Sequence, residues 1–172
     1  MPKAAPGELE TSFAEVIELI QRGRQQAFQA ANAALVDVYW RVGEYISRKL
    51  ESAAWGDGVV EQLARYIARR RPELRGFTGR SLFRMRQFYE AYRGDPIVSA
   101  LLTQLPWTHN LLVLGRCKSS QEREFYLRTA LGQRWTSREL DRQISSGLFQ
   151  RAMLSPAFVS PAVRQLQTAA SS

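Results

Sequence analysis

Nine arginines, at positions 65, 69, 70, 71, 75, 80, 84, 86 and 93, crowd the stretch from Arg65 to Arg93, against two acids, Glu73 and Glu90. That stretch holds +7 of a formal net charge of +8. A guanidinium is a planar fork of donors. It can grip a phosphate, or the edge of a guanine, with two parallel hydrogen bonds. Charge concentrated in this way on a helical pair is the electrostatic footprint of a nucleic-acid binder. The competing reading is a solvated basic face on an ordinary helical hairpin. Of the 24 cations, 21 are arginine and three are lysine, a bias that genome base composition can also produce.

Other reactive residues are few. His109 is the only histidine, so a multi-histidine metal site is excluded and a catalytic triad would have to be built on this one residue. A hydrogen-bonded structural role is the expectation for it. Cys117 is the single cysteine, read as a packed thiol; it excludes an internal disulfide and fits a reducing, cytoplasmic setting. No glycine-rich phosphate loop is present, since Gly56-x-Gly58 lacks the partners such a loop needs. A magnesium-dependent nuclease would need acidic ligands with a nearby lysine. Two residues before Lys3, Lys49 and Lys118 stand Met1, Ser47 and Arg116, so no E-x-K triplet exists. Neither a cofactor nor a catalytic residue is expected.

The arginines need a scaffold, and the sequence supplies helix, turn, helix. Asp57 or Gly58 can cap the first helix. Val59, Leu63, Tyr66 and Ile67 recur at helical spacing and are expected to face a core. Pro72 ends that helix, because the residue before a proline is pushed out of the α region. Gly76 loosens the turn, and Thr78 is a good N-cap for the second helix. There Leu82, Met85, Tyr89 and Tyr92 form an apolar stripe, with Arg80, Arg84, Gln87 and Ala91 opposite. In a helix-turn-helix reader the N-terminal end of the second helix enters the major groove. Thr78, Arg80, Ser81, Arg84 and Gln87 are therefore the candidate contacts, with Arg69, Arg70, Arg71 and Arg75 on the backbone. The turn from Arg71 to Thr78 is longer than the three or four residues of the standard motif.

Elsewhere the pattern is also helical. Residues 1–10, with Pro2, Pro6 and Gly7, read as a disordered N-terminus without the apolar core of a signal peptide. Ser12 with Glu15 makes a capping box, and no proline follows until Pro72. Phe13, Val16, Ile17 and Ile20 form one apolar set; Phe28, Leu35, Tyr39, Val42, Ile46 and Leu50 form another. A single helix to about residue 53 would be too long for a compact domain, so it either breaks near Gly23 or projects toward a partner such as a second subunit. Gly94-Asp95-Pro96 is a turn, and Ile97–Leu105 reads as a helical turn or a strand. Pro106 opens a further helix. Ser119 with Glu122, and Thr136 with Glu139, are two more capping boxes. Residues 154–172 read as a linker or tail. No apolar run approaches the ~20 residues that cross a membrane.

The order of these motifs is that of a bacterial family. Tyr39-Trp40, Gly43 and Ile46 come first, then Trp55-Gly56 and Gly76-Phe77-Thr78 with Leu82, Met85 and Phe88-Tyr89. Leu105-Pro106-Trp107-Thr108-His109, Phe125-Tyr126, Trp135-Thr136, Leu140 and Gln143-Ile144 follow. Residues 13 to 153 resemble the N-terminal domain of YhcG-type proteins, a domain of unknown function usually fused to a C-terminal PD-(D/E)xK nuclease. Thr78 and Thr136 stand where that family suggests serine, which keeps the capping chemistry. The resemblance implies a helical module, helix-turn-helix-like or winged-helix-like, that delivers a nuclease to nucleic acid.

The expectation is thus an all-α domain over residues 11–153, with a long N-terminal helix and a basic hairpin. It is read as a non-catalytic module that targets nucleic acid, DNA ahead of RNA. The alternative is a protein-interaction or dimerisation module whose long first helix is the working surface. A homodimer is expected, through that helix. The chain either stops before a catalytic domain or is a stand-alone relative.

Overall fold

The computed structural model describes residues 6–154. Among them are eight helices and no strand: α1 (Pro6–Glu51), α2 (Val59–Arg70), α3 (Gly79–Tyr92), α4 (Pro96–Leu102), α5 (Trp107–Arg116), α6 (Ser120–Gly132), α7 (Ser137–Ser145) and α8 (Leu148–Leu154). The all-α expectation holds, and among the described residues no strand pair is present to form a wing. Residues 1–5 of the expected disordered N-terminus lie outside the described residues; residues 6–10 are helical. Of the expected tail only Leu154 is described, as the end of α8.

α1 is unbroken through Gly23, at 46 residues. At 1.5 Å per residue it is about 69 Å long. The capping-box pattern at Ser12 does not start it: the helix is already formed there, and the Ser12 hydroxyl donates to the Glu8 carbonyl within it (2.9 Å). Every residue from 7 to 31 is exposed. Burial begins at Asn32, whose carboxamide donates to the Leu105 carbonyl (2.9 Å) beyond α4. The second apolar set therefore splits. Phe28 and Leu35 are exposed, whereas Tyr39, Val42, Ile46 and Leu50 pack into the body.

The body is built on the crossing of α1 and α3. Gly43 lies against the backbone of Met85, so closely that a Cβ there would overlap the Met85 carbonyl. Only glycine lets the two backbones approach in this way. Around the crossing, Trp40 meets Phe88 and Tyr89 edge-on, at 5.8 and 5.1 Å between ring centroids. One turn further along α1, the fully buried Ser47 hydroxyl donates to the Glu90 carboxylate (2.9 Å), and Arg93 pairs with Glu51 (2.6 Å).

Two apolar clusters flank the crossing. Ile46, Ala64, Leu82 and Met85 join α1, α2 and α3. The larger cluster runs from Val36 and Phe88 through Leu102 and Val113 to Tyr126 and Leu140. Trp107 packs on both. In α2 the inward face is Val60, Leu63, Ala64 and Ile67. Tyr66, expected there, is 52% exposed and has the Arg70 guanidinium over its ring (5.7 Å).

Capping fixes the later helices. Asp95 accepts from the N–H groups of Ile97 and Val98, and Pro96 occupies the first turn, so the ambiguous 97–105 stretch opens as helix. Ser119 and Thr136 accept from the N–H groups of Glu122 and Glu139, as their capping boxes predict. Asn110, fully buried, donates from its amide to the Leu102 carbonyl (2.9 Å), which locks the α4–α5 turn.

Gly43 and Gly115 test the crossing directly. An alanine replacing a helical glycine normally stabilises by about 0.5–1 kcal/mol. Gly115 in α5 has open space around it, so Gly115→Ala should show that gain. Gly43→Ala should invert the sign, with a cost of about 1–3 kcal/mol as the helices are forced apart. Urea midpoints of the two variants check this; equal shifts would show that the crossing is loose.

Candidate nucleic-acid interface

The basic hairpin is α2, the turn 71–78 and α3. Arg71 leaves the helical region (φ −140°) just before Pro72, while its N–H still bonds the Ile67 carbonyl (2.8 Å). Gly76 turns the chain at φ +88°, a conformation that glycine adopts without strain. Thr78 caps α3: its Oγ1 accepts from the Ser81 N–H (3.2 Å), and the two hydroxyls lie 3.0 Å apart. The hydroxyls of Thr78 and Ser81 are thus engaged in the cap. The N-cap of α2 is Gly58, not Asp57, and it provides no side-chain acceptor.

Along α3 the apolar stripe is buried as expected, with Phe88 added to Leu82, Met85, Tyr89 and Tyr92. Helical spacing puts Arg80, Arg84 and Gln87 on the opposite face. Arg80 and Gln87 are exposed and Arg84 is half-buried. Arg69 and Arg70 close α2, where cations favour the negative end of the helix dipole. Arg71 and Arg75 stand exposed in the turn.

Ion pairing sorts the nine arginines into two groups. Arg65 approaches Glu61 (4.0 Å), Arg71 pairs with Glu73 (2.5 Å), Arg86 with Glu90 (2.7 Å) and Arg93 with Glu51 (2.6 Å). Among the described residues, Arg69, Arg70, Arg75, Arg80 and Arg84 have no carboxylate partner within salt-bridge distance. All five are among the candidate contacts; of the candidate arginines only Arg71 is neutralised. The sequence offers Glu61, Glu73, Glu90 and Glu124 as nearby acids whose pairing with arginines favours the interaction-module reading, and all four are paired, with Arg65, Arg71, Arg86 and Arg128. It gave no sign of the Arg93–Glu51 contact, which bridges 42 residues. Nor did it place Glu61, whose carboxylate abuts Gly79 and adds negative charge at the start of α3.

Elsewhere, reactive groups are buried in structural roles. His109 is buried, with Nε2 2.7 Å from the Trp135 carbonyl. Cys117 is buried at the end of α5; burial, aided by the nearby Glu122 charge, pushes its thiol up to about 12, away from the thiolate. An apolar hollow of about 470 Å³ lies behind the basic turn and is lined by Val42, Trp55, Leu63, Ile67, Leu74 and Phe77 among others. It has no convergent polar groups suited to catalysis. Among the described residues no three His, Cys, Asp or Glu side chains are grouped to hold a metal ion. No helix among them is long and apolar enough to cross a membrane.

The described residues form an all-helical body with arginines exposed on one helical hairpin. The chain belongs to the DUF1016 N-terminal domain family, which it matches over residues 15–151. It is also similar to an Escherichia coli (strain K12) protein named "Putative nuclease YhcG", at 24% identity over 173 residues and 81% of this chain. The chain spans under half of that relative, 45% of its length. No solved structure gives a significant match.

Glu90 ties Arg86 and Ser47 together at the inner edge of α3, and its titration is measurable. Partial burial raises its pKa, but hydrogen bonds from Arg86 and Ser47 and the charges of Arg86 and Arg93 outweigh this, so the net shift is downward. A carboxylate held below its unfolded value adds stability above that value, and loses it as pH falls through the folded one. Glu90→Gln should therefore be less stable than the parent at neutral pH, and the gap should close as pH drops below the usual carboxylate range. Urea midpoints measured from pH 7 to pH 3 check this; a constant gap would remove Glu90 as a contributor to acid lability.

Proposed function

We propose that this domain binds nucleic acid, DNA ahead of RNA, and acts in the cytoplasm as the non-catalytic targeting module of a nuclease-associated protein. The observation that carries the reading is the set Arg69, Arg70, Arg75, Arg80 and Arg84, on and beside one helical hairpin and without carboxylate partners among the described residues. Unneutralised guanidiniums released from intramolecular pairs are free to exchange counterions with a phosphate backbone. The name of the similar Escherichia coli protein, "Putative nuclease YhcG", supports a nucleic-acid partner. A protein-interaction role is the second reading, favoured by the exposed apolar residues of α1, among them Phe13, Val16, Ile20 and Phe28. The two are compatible: a homodimer joined through α1 would present two arginine faces.

Binding to duplex DNA should weaken steeply with salt, with a slope of about −0.9 for each phosphate neutralised. Arg80→Ala with Arg84→Ala should flatten that slope by about two. Arg71→Ala should change it less, because Glu73 already neutralises Arg71. The double variant should keep its fold at a cost of about 1 kcal/mol or less, since Arg80 is exposed and Arg84, though half-buried, lies off the buried stripe of α3. Leu82→Ala, in the core, should lose about 2–5 kcal/mol and bind poorly only as a consequence. A gel-shift salt series with urea midpoints separates these outcomes. A double variant that binds like the parent at every salt concentration would reduce the arginine face to a solvated surface.

Because the E-x-K triplet is missing and no metal cluster is present among the described residues, the chain alone should cut nothing. Supercoiled plasmid, linear DNA and RNA should all survive incubation with Mg²⁺ or Mn²⁺. Cleavage that persists through further purification would overturn the non-catalytic assignment.

A further inference from the structure

The free half of α1 has a pattern that the monomer does not use. Positions 9, 13, 16, 20, 23, 27, 30 and 34 step by four and three alternately, the seam spacing of a coiled coil sustained over nearly four heptads. Their occupants are Leu9, Phe13, Val16 and Ile20, then Gly23, Ala27, Ala30 and Ala34. All eight are exposed, Phe13 and Ile20 at 61% and 57%. At 100° per residue this seam lies about half a turn from Val36, Gly43 and Ser47, the face of α1 buried in its own domain. The seam therefore points away from the body.

Size and charge along the seam both change at its midpoint. The first four seam residues are bulky and the last four are small. Residues 6–20 carry Glu8, Glu10, Glu15 and Glu18 with no cation; residues 21–36 carry Arg22 and Arg24 with no acid. A parallel copy would stack bulk on bulk and acid on acid. An antiparallel copy, with its two-fold axis between Gln21 and Arg22, sets Leu9 opposite Ala34, Phe13 opposite Ala30, Val16 opposite Ala27, and Ile20 opposite Gly23. Every layer then pairs one large with one small side chain. Glu18 falls opposite Gln25, one residue from Arg24 of the other copy, and Glu8, Glu10 and Glu15 face the acid-free half rather than each other, while Arg22 pairs with Glu18 of its own helix.

We propose that two copies of this chain associate through residues 9–34 of α1 as an antiparallel helix pair. The inference rests on the assembly reading above and adds its face, register and direction; it does not depend on nucleic acid. An isologous two-fold contact of this kind closes on itself and stops at a dimer.

Light scattering on the 172-residue chain should give twice its 19.6 kDa mass at tens of micromolar. Ala27→Leu should crowd Val16 of the second copy and weaken the dimer at least tenfold. Adding Val16→Ala in the same chain relieves the same layer and should restore it. Circular dichroism should show all three chains equally helical. For direction, V16C and A27C chains are mixed, equilibrated and treated with a short bismaleimide; buried Cys117 is common to every sample, and the parent chain supplies the blank. The mixture should cross-link, whereas V16C alone should not, its two copies lying about 16 Å apart along the seam. A monomer mass overturns both the assembly reading and this inference. A dimer in which V16C cross-links with itself, or in which the double variant stays dissociated, overturns the antiparallel seam and leaves assembly standing.

Discussion

The contact of Gly43 with the Met85 backbone sets the geometry of the whole body. Because those backbones touch, Trp40 reaches Phe88 and Tyr89, and Ser47 comes within hydrogen-bonding range of Glu90. Glu90 in turn holds Arg86, and Glu51 holds Arg93. The inner edge of α3 is thereby neutralised and packed, and the charge left over is on its outer edge. One close approach thus divides the helix into a structural face and a face with unspent guanidiniums. A wider crossing would take the fully buried Ser47 hydroxyl away from Glu90, which is costly for a buried polar group.

The burial of polar groups follows the same economy. Asn110 spends its amide on carbonyls at the end of α4 and the turn that follows. Asn32 does the same from α1. Each closes backbone acceptors that a helix terminus would otherwise leave open. Arg116 bridges from α5 to Asp141 and Ser145 on α7, outside the core. Little of this involves groups that could do bond-making chemistry. His109 and Cys117 sit where packing, not reactivity, explains them.

Much of this was legible in the residues. Local signals carried the helices: the hydroxyls of Thr78, Ser119 and Thr136 and the proline at 96 each act within four residues of where they stand, so spacing alone reveals them. The apolar stripe of α3 was legible for the same reason. The start of α1 was not, because S-x-x-E also occurs inside a helix, as at Ser12. Tyr66 was misplaced because helical periodicity gives a direction but not the width of the buried face, and a cation over the ring keeps it outside. For the candidate site the residue types could be read directly, but their availability could not. Whether an arginine is spent depends on acids brought in from elsewhere, as Glu51 is to Arg93 across the fold.

α1 has no break between its exposed first half and the segment clamped to α3. No proline, bulge or cavity interrupts it, so it behaves mechanically as a rod with one end embedded. Whatever fixes the direction of the free end fixes the orientation of the arginine face as well. A hinge at Gly23 would have let the two ends point independently. Without it, the heading of the projecting end and the aim of the outer edge of α3 are a single degree of freedom, and a torque applied to one is delivered to the other.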